Sequence, residues 1–435
     1  MLIEFSVSNF RSFNEEQTLS LVAGRDRKHP ENLIAKSGLR LLKAAAIYGA
    51  NASGKSSLIK ALDVLVDAVR LSATRLTEGD RIPGIVPFRL NSQTPEKPSR
   101  FAVKFLKEGD LYEYSLAATS RRVHEESLSR SCIGKKPEVW FTRRFQHQTQ
   151  SHEWSFSGAL KEDERAVLRD RTRDNGLALS RGAEQNIKPL SDVFSAFTQF
   201  WVFDLSSSPQ HLLQVTARRM IQNDVFARRI LALVRDADFD IKDLSVKEVP
   251  LDGKKLSLVR RILSAPELKD LKDLNEKELL ETDIRASHLV RDTGSPVQFR
   301  MEEESNGTMR FFSIAGPLVD ALEKGSVVIV DEFDCSMHPL LTQKLLQLVQ
   351  SETANPTGAQ LIFTTHDSSL MTPDLFRRDQ VWLVEKRASG ASRLLSLYDF
   401  KKPPRSTESF QRNYLTGRYG AVPNFGPTLE DQVLK

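Results

Sequence analysis

Residues Gly49, Ala50, Asn51, Ala52, Ser53, Gly54, Lys55, Ser56 and Ser57 run consecutively and contain the spacing Gly, four residues, Gly, Lys, Ser. Glycines at those places let backbone N–H groups turn inward around a polyphosphate, the lysine bridges the β and γ phosphates, and the serine hydroxyl ligates Mg²⁺. All nine are candidate nucleotide-binding residues, with Ser56 also a candidate metal ligand. A chance glycine-lysine turn is the alternative. The loop needs a strand before it and a helix after it, and its flanks supply both signals. Residues 41–48 are mostly apolar, as in a buried strand, and residues 55–71 suit a helix.

A phosphate loop also needs carboxylates. Val327-Val328-Ile329-Val330-Asp331-Glu332 is an apolar strand that ends in two acids. Asp331 there is a candidate metal ligand, and Glu332 is the candidate catalytic base that orients or deprotonates a water. A solvated strand end is the plainer account. A second buried-type strand, residues 360–365, ends at His366 and Asp367. An imidazole at the end of a neighbouring parallel strand can reach a γ-phosphate or the attacking water, so His366 is the second catalytic candidate. A purely structural histidine is the alternative. Glu304-Ser305-Asn306-Gly307-Thr308 precedes an apolar-patterned helix. Ser305 and Gly307 are read either as an anion site at a helix start or as an ordinary helix cap.

The elements that position these groups change character along the chain. Residues 1–8 alternate as a strand does, and between 88 and 145 short β-like runs separated by turn signals predict an antiparallel sheet. From 161 to 285 the sequence turns charged and helix-prone, with 163–173, 215–235 and 267–281 the clearest helices, and it is read as a helical insertion. Strand and helix then alternate again to about 400, and a Pro/Gly-rich extension occupies 401–435. The expected divisions are thus 1–160 and 286–400 as two lobes of one head, 161–285 as the insertion and 401–435 as a docked or partly loose extension.

Composition adds exclusions. The 435 residues are 40% hydrophobic and 27% charged with a net charge of +5, ordinary for a globular chain and too mild to argue for nucleic acid. The two cysteines, Cys132 and Cys335, form no CxxC pair and imply no disulfide framework. No signal-peptide core and no apolar run of roughly 20 residues is visible, so a cytoplasmic protein without a membrane span is expected. The pairs Arg121-Arg122, Lys135-Lys136 and Arg143-Arg144 are read as a solvated sheet edge or a nucleic-acid contact. His288 and His338 are read as core or solvated histidines before sites.

Phosphate loop, Ser305-x-Gly307 helix start, Val-Asp331-Glu332 strand end and Thr365-His366, in that order, resemble the ATPase heads of the ABC superfamily, nearer the SMC and RecF branch than the transporters. The resemblance implies an α/β fold of ABC ATPase head type: a P-loop NTPase with a mixed parallel core sheet plus an antiparallel sheet, here with a helical insertion. It implies ATP and Mg²⁺ as ligands. Asn9-Phe10-Arg11-Ser12-Phe13 resembles the opening strand of that branch, in which the arginine, here Arg11, lies near the nucleotide. In such heads the serine-glycine signature of one protomer completes the site of the other, so a homodimer is implied. Asp334, Ser336 and His338 fall where the partner-facing loop would run. The sequence lacks the second glycine of that signature, and Gln93 is a weak match to the glutamine loop.

The phrases Glu304-Ser305-x-Gly307-Thr308, Asp331-Glu332-x-Asp334-x-Ser336-x-His338-Pro339 and Arg418-Tyr419-Gly420-Ala421-Val422-Pro423 are similar to bacterial anti-phage ATPases: RloA, AbiL, the AriA subunit of PARIS and the ATPase half of OLD nucleases. That similarity implies a sensor or regulator of a defence system. OLD enzymes continue into a Toprim nuclease that has no counterpart here, so a separate effector, such as a Toprim-like nuclease, is expected. The rival readings are a RecF-like DNA-repair ATPase and a nucleotide-stabilised scaffold with little turnover.

Overall fold

The computed structural model describes residues 1–132, 136–206, 209–237, 239–251, 257, 280–400, 404 and 408–423. They form two compact units, one of Met1–Leu205, Ala321–Asp334 and Thr342–Lys435, the other of Ser206–Asp320 and Cys335–Leu341.

In the first unit, β1 (Leu2–Ser8), β2 (Gln17–Ser20), β3 (Leu33–Lys36), β4 (Leu39–Leu42) and β5 (Ala44–Tyr48) lead to α1 (Lys55–Arg75). The expected strand over 41–48 is broken at Lys43. That side chain is buried, and its ammonium needs carbonyl partners, which it finds at Gln350 (3.1 Å) and Ser351 (3.2 Å). Then come β6 (Ser99–Lys107), β7 (Asp110–Ala118), β8 (Val123–Ser131), β9 (Glu138–Gln146) and β10 (Ser151–Phe156). They join β1 and β2 in an antiparallel seven-stranded sheet ordered β10-β9-β8-β7-β6-β1-β2. Alternation drives this: in β6, Phe101, Val103 and Phe105 are buried while the residues between them are more open.

Helices α2 (Glu162–Arg171), α3 (Ala178–Glu184) and α4 (Lys188–Phe197) and strand β11 (Phe200–Asp204) complete this run. Residues 161–205, expected in the insertion, therefore sit in the first unit. The reason is burial: Leu177, Ala178, Leu179, Leu190, Val193 and Phe197 join one apolar core with α1 and both sheets.

The second unit holds α5 (Pro209–Gln222), α6 (Asp224–Asp236), β12 (Asp243–Pro250), β13 (Leu280–Leu289), β14 (Pro296–Arg300) and the start of α7 (Asn306–Lys324). The single helix expected over 215–235 is two, because the Asn223 side chain accepts the Phe226 N–H and caps a fresh helix. The stretch read as helical up to 285 also carries β12 and β13, which pair antiparallel, so Leu280 and Glu281 are strand. The rest of the helix expected over 267–281 lies outside the described residues.

Beyond α7 follow β15 (Val327–Asp331), α8 (Pro339–Gln350), β16 (Gln360–Thr364), β17 (Val381–Lys386), β18 (Ser392–Ser396) and α9 (Phe410–Leu415). The core sheet of the first unit runs β11-β15-β16-β5-β17-β18, parallel throughout except that β18 opposes β17. Such a sheet is covered on both faces, and β5, β15 and β16 accordingly read as short apolar runs. Gln360 ties β1 to it: its amide donates to the carbonyls of Leu2 (3.0 Å) and Leu42 (3.1 Å) and accepts the Leu2 N–H.

Helix α1 buries Leu58, Leu62, Leu65 and Val69, spaced to share one face, inside this core. Leu62→Ala should therefore lower stability by about 2–5 kcal/mol, read as a shift in the urea midpoint. A change under about 0.5 kcal/mol would mean that α1 is not a core helix.

Candidate functional site

Strand β5 ends at Tyr48 and α1 begins at Lys55, so residues 49–54 span the turn between them. Gly54 holds φ +116°, and a Cβ there would lie 2.3 Å from Ser392 Oγ and 2.6 Å from Ser12 Oγ. Only glycine fits both constraints. Lys55 is 6% exposed, and its ammonium folds back to donate to the carbonyls of Gly49 (2.8 Å) and Ala50 (3.1 Å). Burial lowers its pKa, and the carboxylates of Asp331, Glu332 and Asp334 act in the opposite sense. Asn51, Ala52 and Ser56 are exposed, Ser57 is half-buried, and the buried hydroxyls of Ser53 and Ser12 have no hydrogen-bond partner.

The acids reach this loop through strand register. Thr364 on β16 pairs with Ile47 on β5, and Val330 on β15 pairs with Phe363 on β16. The carboxyl ends of all three strands therefore emerge at one edge, where open α/β sheets bind ligands. The Thr364 hydroxyl donates to Asp331 Oδ1 (2.5 Å) and accepts the Glu332 N–H (2.8 Å). Glu332 sits at φ +55°, a conformation that turns its side chain off the strand line. His366 is exposed, and its backbone N–H donates to Asp334 Oδ2 (3.2 Å).

Lys55, Asp331, Glu332 and His366 thus belong to one edge of the first unit. Arg11 is beside it: it is exposed on a tight turn at φ +47°, and its neighbour Ser12 crowds Gly54 and accepts the Ser392 N–H (2.7 Å). Ser12, Ser392 and Thr364 shape the site and were not singled out from the sequence, since hydroxyls far apart in the chain carry no spacing signal. Gln93 is exposed on a loop, where its N–H donates to Asn91.

Ser305 and Gly307 belong to the second unit. Ser305 accepts the Thr308 N–H (3.0 Å), so it does cap α7. It remains exposed, as an anion-facing residue must be. Gly307 lies against the loop after β15, for a Cβ on it would be 3.0 Å from the Ser336 carbonyl. His338 is exposed, whereas His288 is bonded to Glu304 (2.8 Å) and packs on Phe299. The basic pairs divide. Arg143 is no surface residue: it is 1% exposed, beside Glu126. Arg122 stacks over Phe145 and pairs with Asp174, Arg144 pairs with Glu125, and Lys135 lies outside the described residues.

The arrangement offers a glycine-bearing turn at a helix start, a buried cation and the side-chain oxygens of Ser56 and Asp331. That donor set suits a polyphosphate with Mg²⁺, which takes one or two carboxylates plus substrate oxygens. No cluster of three or more metal-ligating His, Cys, Asp or Glu occurs among the described residues. Nor, among them, is any helix long and apolar enough to cross a membrane.

The family described as "AAA domain, putative AbiEii toxin, Type IV TA system" matches residues 44–372, well over half of the 435-residue chain. No curated protein matches in sequence. Solved structures with similar chain paths include an SMC head domain from Thermotoga maritima, 12% identical, covering 91% of this chain and 98% of that one at a TM-score of 0.39. An SMC head bound to the C-winged helix domain of ScpA is 13% identical, with coverage of 91% and 97% and a TM-score of 0.37. RecF, a recombination mediator protein, in its ATPγS-bound structure is 13% identical, with coverage of 91% and 98% and a TM-score of 0.30.

Thr364→Val preserves side-chain shape but removes the bond to Asp331 and leaves the Glu332 N–H without its acceptor. It should lower stability by about 1–3 kcal/mol, measured by denaturant unfolding. Wild-type stability would mean that water replaces the hydroxyl and that the two strand ends are not linked through it.

Proposed function

The chain belongs to this AAA-domain family, and from that premise we propose that it binds Mg²⁺-ATP at residues 49–57 and hydrolyses it. One observation carries the reading: Lys55 is a buried ammonium whose hydrogen bonds go to the phosphate loop's own carbonyls, beside the carboxylates of Asp331, Glu332 and Asp334. A buried cation is costly unless paired, and a polyphosphate arriving at the loop gives it a partner. Gly49, Ala50, Asn51, Ala52, Ser53, Gly54 and Ser57 frame the phosphates, and Arg11 approaches the nucleotide from the opening turn. Ser56 and Asp331 would hold Mg²⁺, which would supply positive charge to offset that of the phosphates. Glu332 takes a proton from water as the water oxygen bonds to the γ phosphorus and the bond to the bridging oxygen breaks. His366, on the neighbouring strand end, contacts the γ-phosphate.

In this reading the protein works as a homodimer in which Ser305 and Gly307 of each protomer complete the partner's site. The exposure of Ser305 at the start of α7 supports it. The cellular role is that of a cytoplasmic sensor or regulator in anti-phage defence, coupled to a separate effector such as a Toprim-like nuclease. The toxin-antitoxin wording of the family description supports that assignment.

Glu332→Gln keeps size and hydrogen-bonding reach but cannot accept the proton. The variant should bind Mg²⁺-ATP as wild type does and turn over at least about a hundredfold more slowly. Near-normal hydrolysis would remove Glu332 from catalysis. Ser305→Arg and Lys55→Ala proteins should each be inactive alone, yet a mixture should recover part of the turnover, because one mixed site keeps both an intact loop and an intact signature. Confirmed mixed dimers without recovery would count against sites shared between protomers.

A further inference from the structure

The segment after β18 returns to the phosphate loop. Helix α9 is capped by Ser409, whose hydroxyl accepts the Arg412 N–H (3.2 Å). A small polar knot then fixes the turn that follows: the Asn413 amide donates to Glu408 (3.0 Å) and to the Tyr419 hydroxyl (2.9 Å), and Arg418 donates to Glu408 (2.8 Å). The knot delivers Ala421, at φ +58° and 7% exposed, to the loop. Its carbonyl accepts the Ala50 N–H (2.8 Å) and the Tyr414 hydroxyl (3.3 Å).

The same segment touches the edge that carries His366. Tyr414 packs its ring 6.1 Å from that of Tyr48, the last residue of β5. Gln411 donates to the Ser368 hydroxyl (3.3 Å), two residues past His366. Between these contacts, Tyr48 Oη and Asp367 Oδ2 are both buried without a hydrogen-bond partner. Burial, then the charges of Asp367 and Asp334, push the Tyr48 phenol well above its ordinary pKa, so it stays a neutral donor.

We propose that residues 409–423 are a positioning element of the nucleotide site, in which Ala421 fixes the phosphate loop at Ala50, Tyr414 braces Ala421 against Tyr48 at the end of β5, and Gln411 ties the segment to the turn that bears His366. One strap thus sets the loop and the γ-phosphate-facing turn against each other. With the Ala50 N–H held by Ala421 and the Ser53 N–H held by the Ala50 carbonyl (3.2 Å), the strap anchors the first half of the loop, whose carbonyls in turn hold Lys55. The nucleotide part of this proposal rests on the ATP reading of the site; the bond between strap and loop does not.

The test uses the full chain as wild type, Tyr414→Ala and Tyr414→Phe. Hydrogen exchange is followed by mass spectrometry without nucleotide, and Mg²⁺-ATP affinity is measured at equilibrium. Tyr414→Ala should speed exchange in peptides covering 48–54 by about tenfold or more while peptides of β6 and β7 are unchanged. Tyr414→Phe, which keeps the ring and loses the bond to Ala421, should fall between, and it carries the test if the alanine variant fails to fold. Mg²⁺-ATP affinity should weaken in the same order, by about tenfold for alanine. Wild-type exchange at 48–54 in both variants overturns the strap. Faster exchange with unchanged affinity overturns its positioning role. If wild type and Lys55→Ala alike fail to bind Mg²⁺-ATP, the ATP reading falls, and the exchange result still judges the strap.

Discussion

The parallel pairing of β5, β15 and β16 is the constraint on which the rest of the first unit depends. Parallel neighbours release their chains at the same edge, so the turn after Tyr48, the acids after Val330 and the turn after Thr364 must meet there. A one-residue slip in any of these pairings would turn Asp331 or Thr364 to the other face of the sheet. The apolar surroundings of the three strands prevent the slip, because every residue of β5 and β16 and all of β15 before Asp331 are buried. The Thr364 hydroxyl then converts register into a direct link between the second and third strand ends.

Charge is handled in two contrasting ways within the same unit. Arg143 and Glu126 are buried together and heavily bonded: Arg143 donates to the carbonyls of Gly176 and Arg173 while its Nε is left without a partner, and Glu126 accepts from the N–H groups of Ala178 and Leu179 and from Tyr114. That pair fastens the antiparallel sheet to the start of α3. Lys55 is buried as well, but among the described residues it has no paired carboxylate within salt-bridge reach, only carbonyls and a diffuse field from three acids. An ion bonded to a buried carboxylate is an anchor, whereas the Lys55 ammonium is held by carbonyls of its own loop.

The second unit answers a different requirement. Its described part couples α5 and α6 to the sheet β12-β13-β14 and leads through Met301–Glu303 into the capped start of α7. Ser305 spends its hydroxyl on the Thr308 N–H and still faces solvent. The same hydroxyl also shares a hydrogen bond with Thr308 Oγ1 (2.8 Å), so one residue engages it twice while the helix N-terminus keeps its partial positive charge.

The residues at the carboxyl ends of β5, β15 and β16 were legible in the sequence because local physics writes them: a glycine-lysine loop between an apolar run and a helix, two acids closing a strand, a histidine closing another. Of the run read as a strand over 360–365, residues 360–364 are strand in the structure. Partners remote in sequence were not legible. Nothing local says that Phe200–Asp204 joins the core sheet beside β15, that Arg143 turns inward to Glu126, that Lys43 interrupts a strand to reach Gln350 and Ser351, or that Ser12 and Ser392 close on Gly54. The alternation of a half-buried strand and the apolar run of a buried one are set by a residue's nearest neighbours in the chain. Which buried group meets which is set by packing and by the need of every buried polar atom for a partner, and that is decided only when the whole chain has folded.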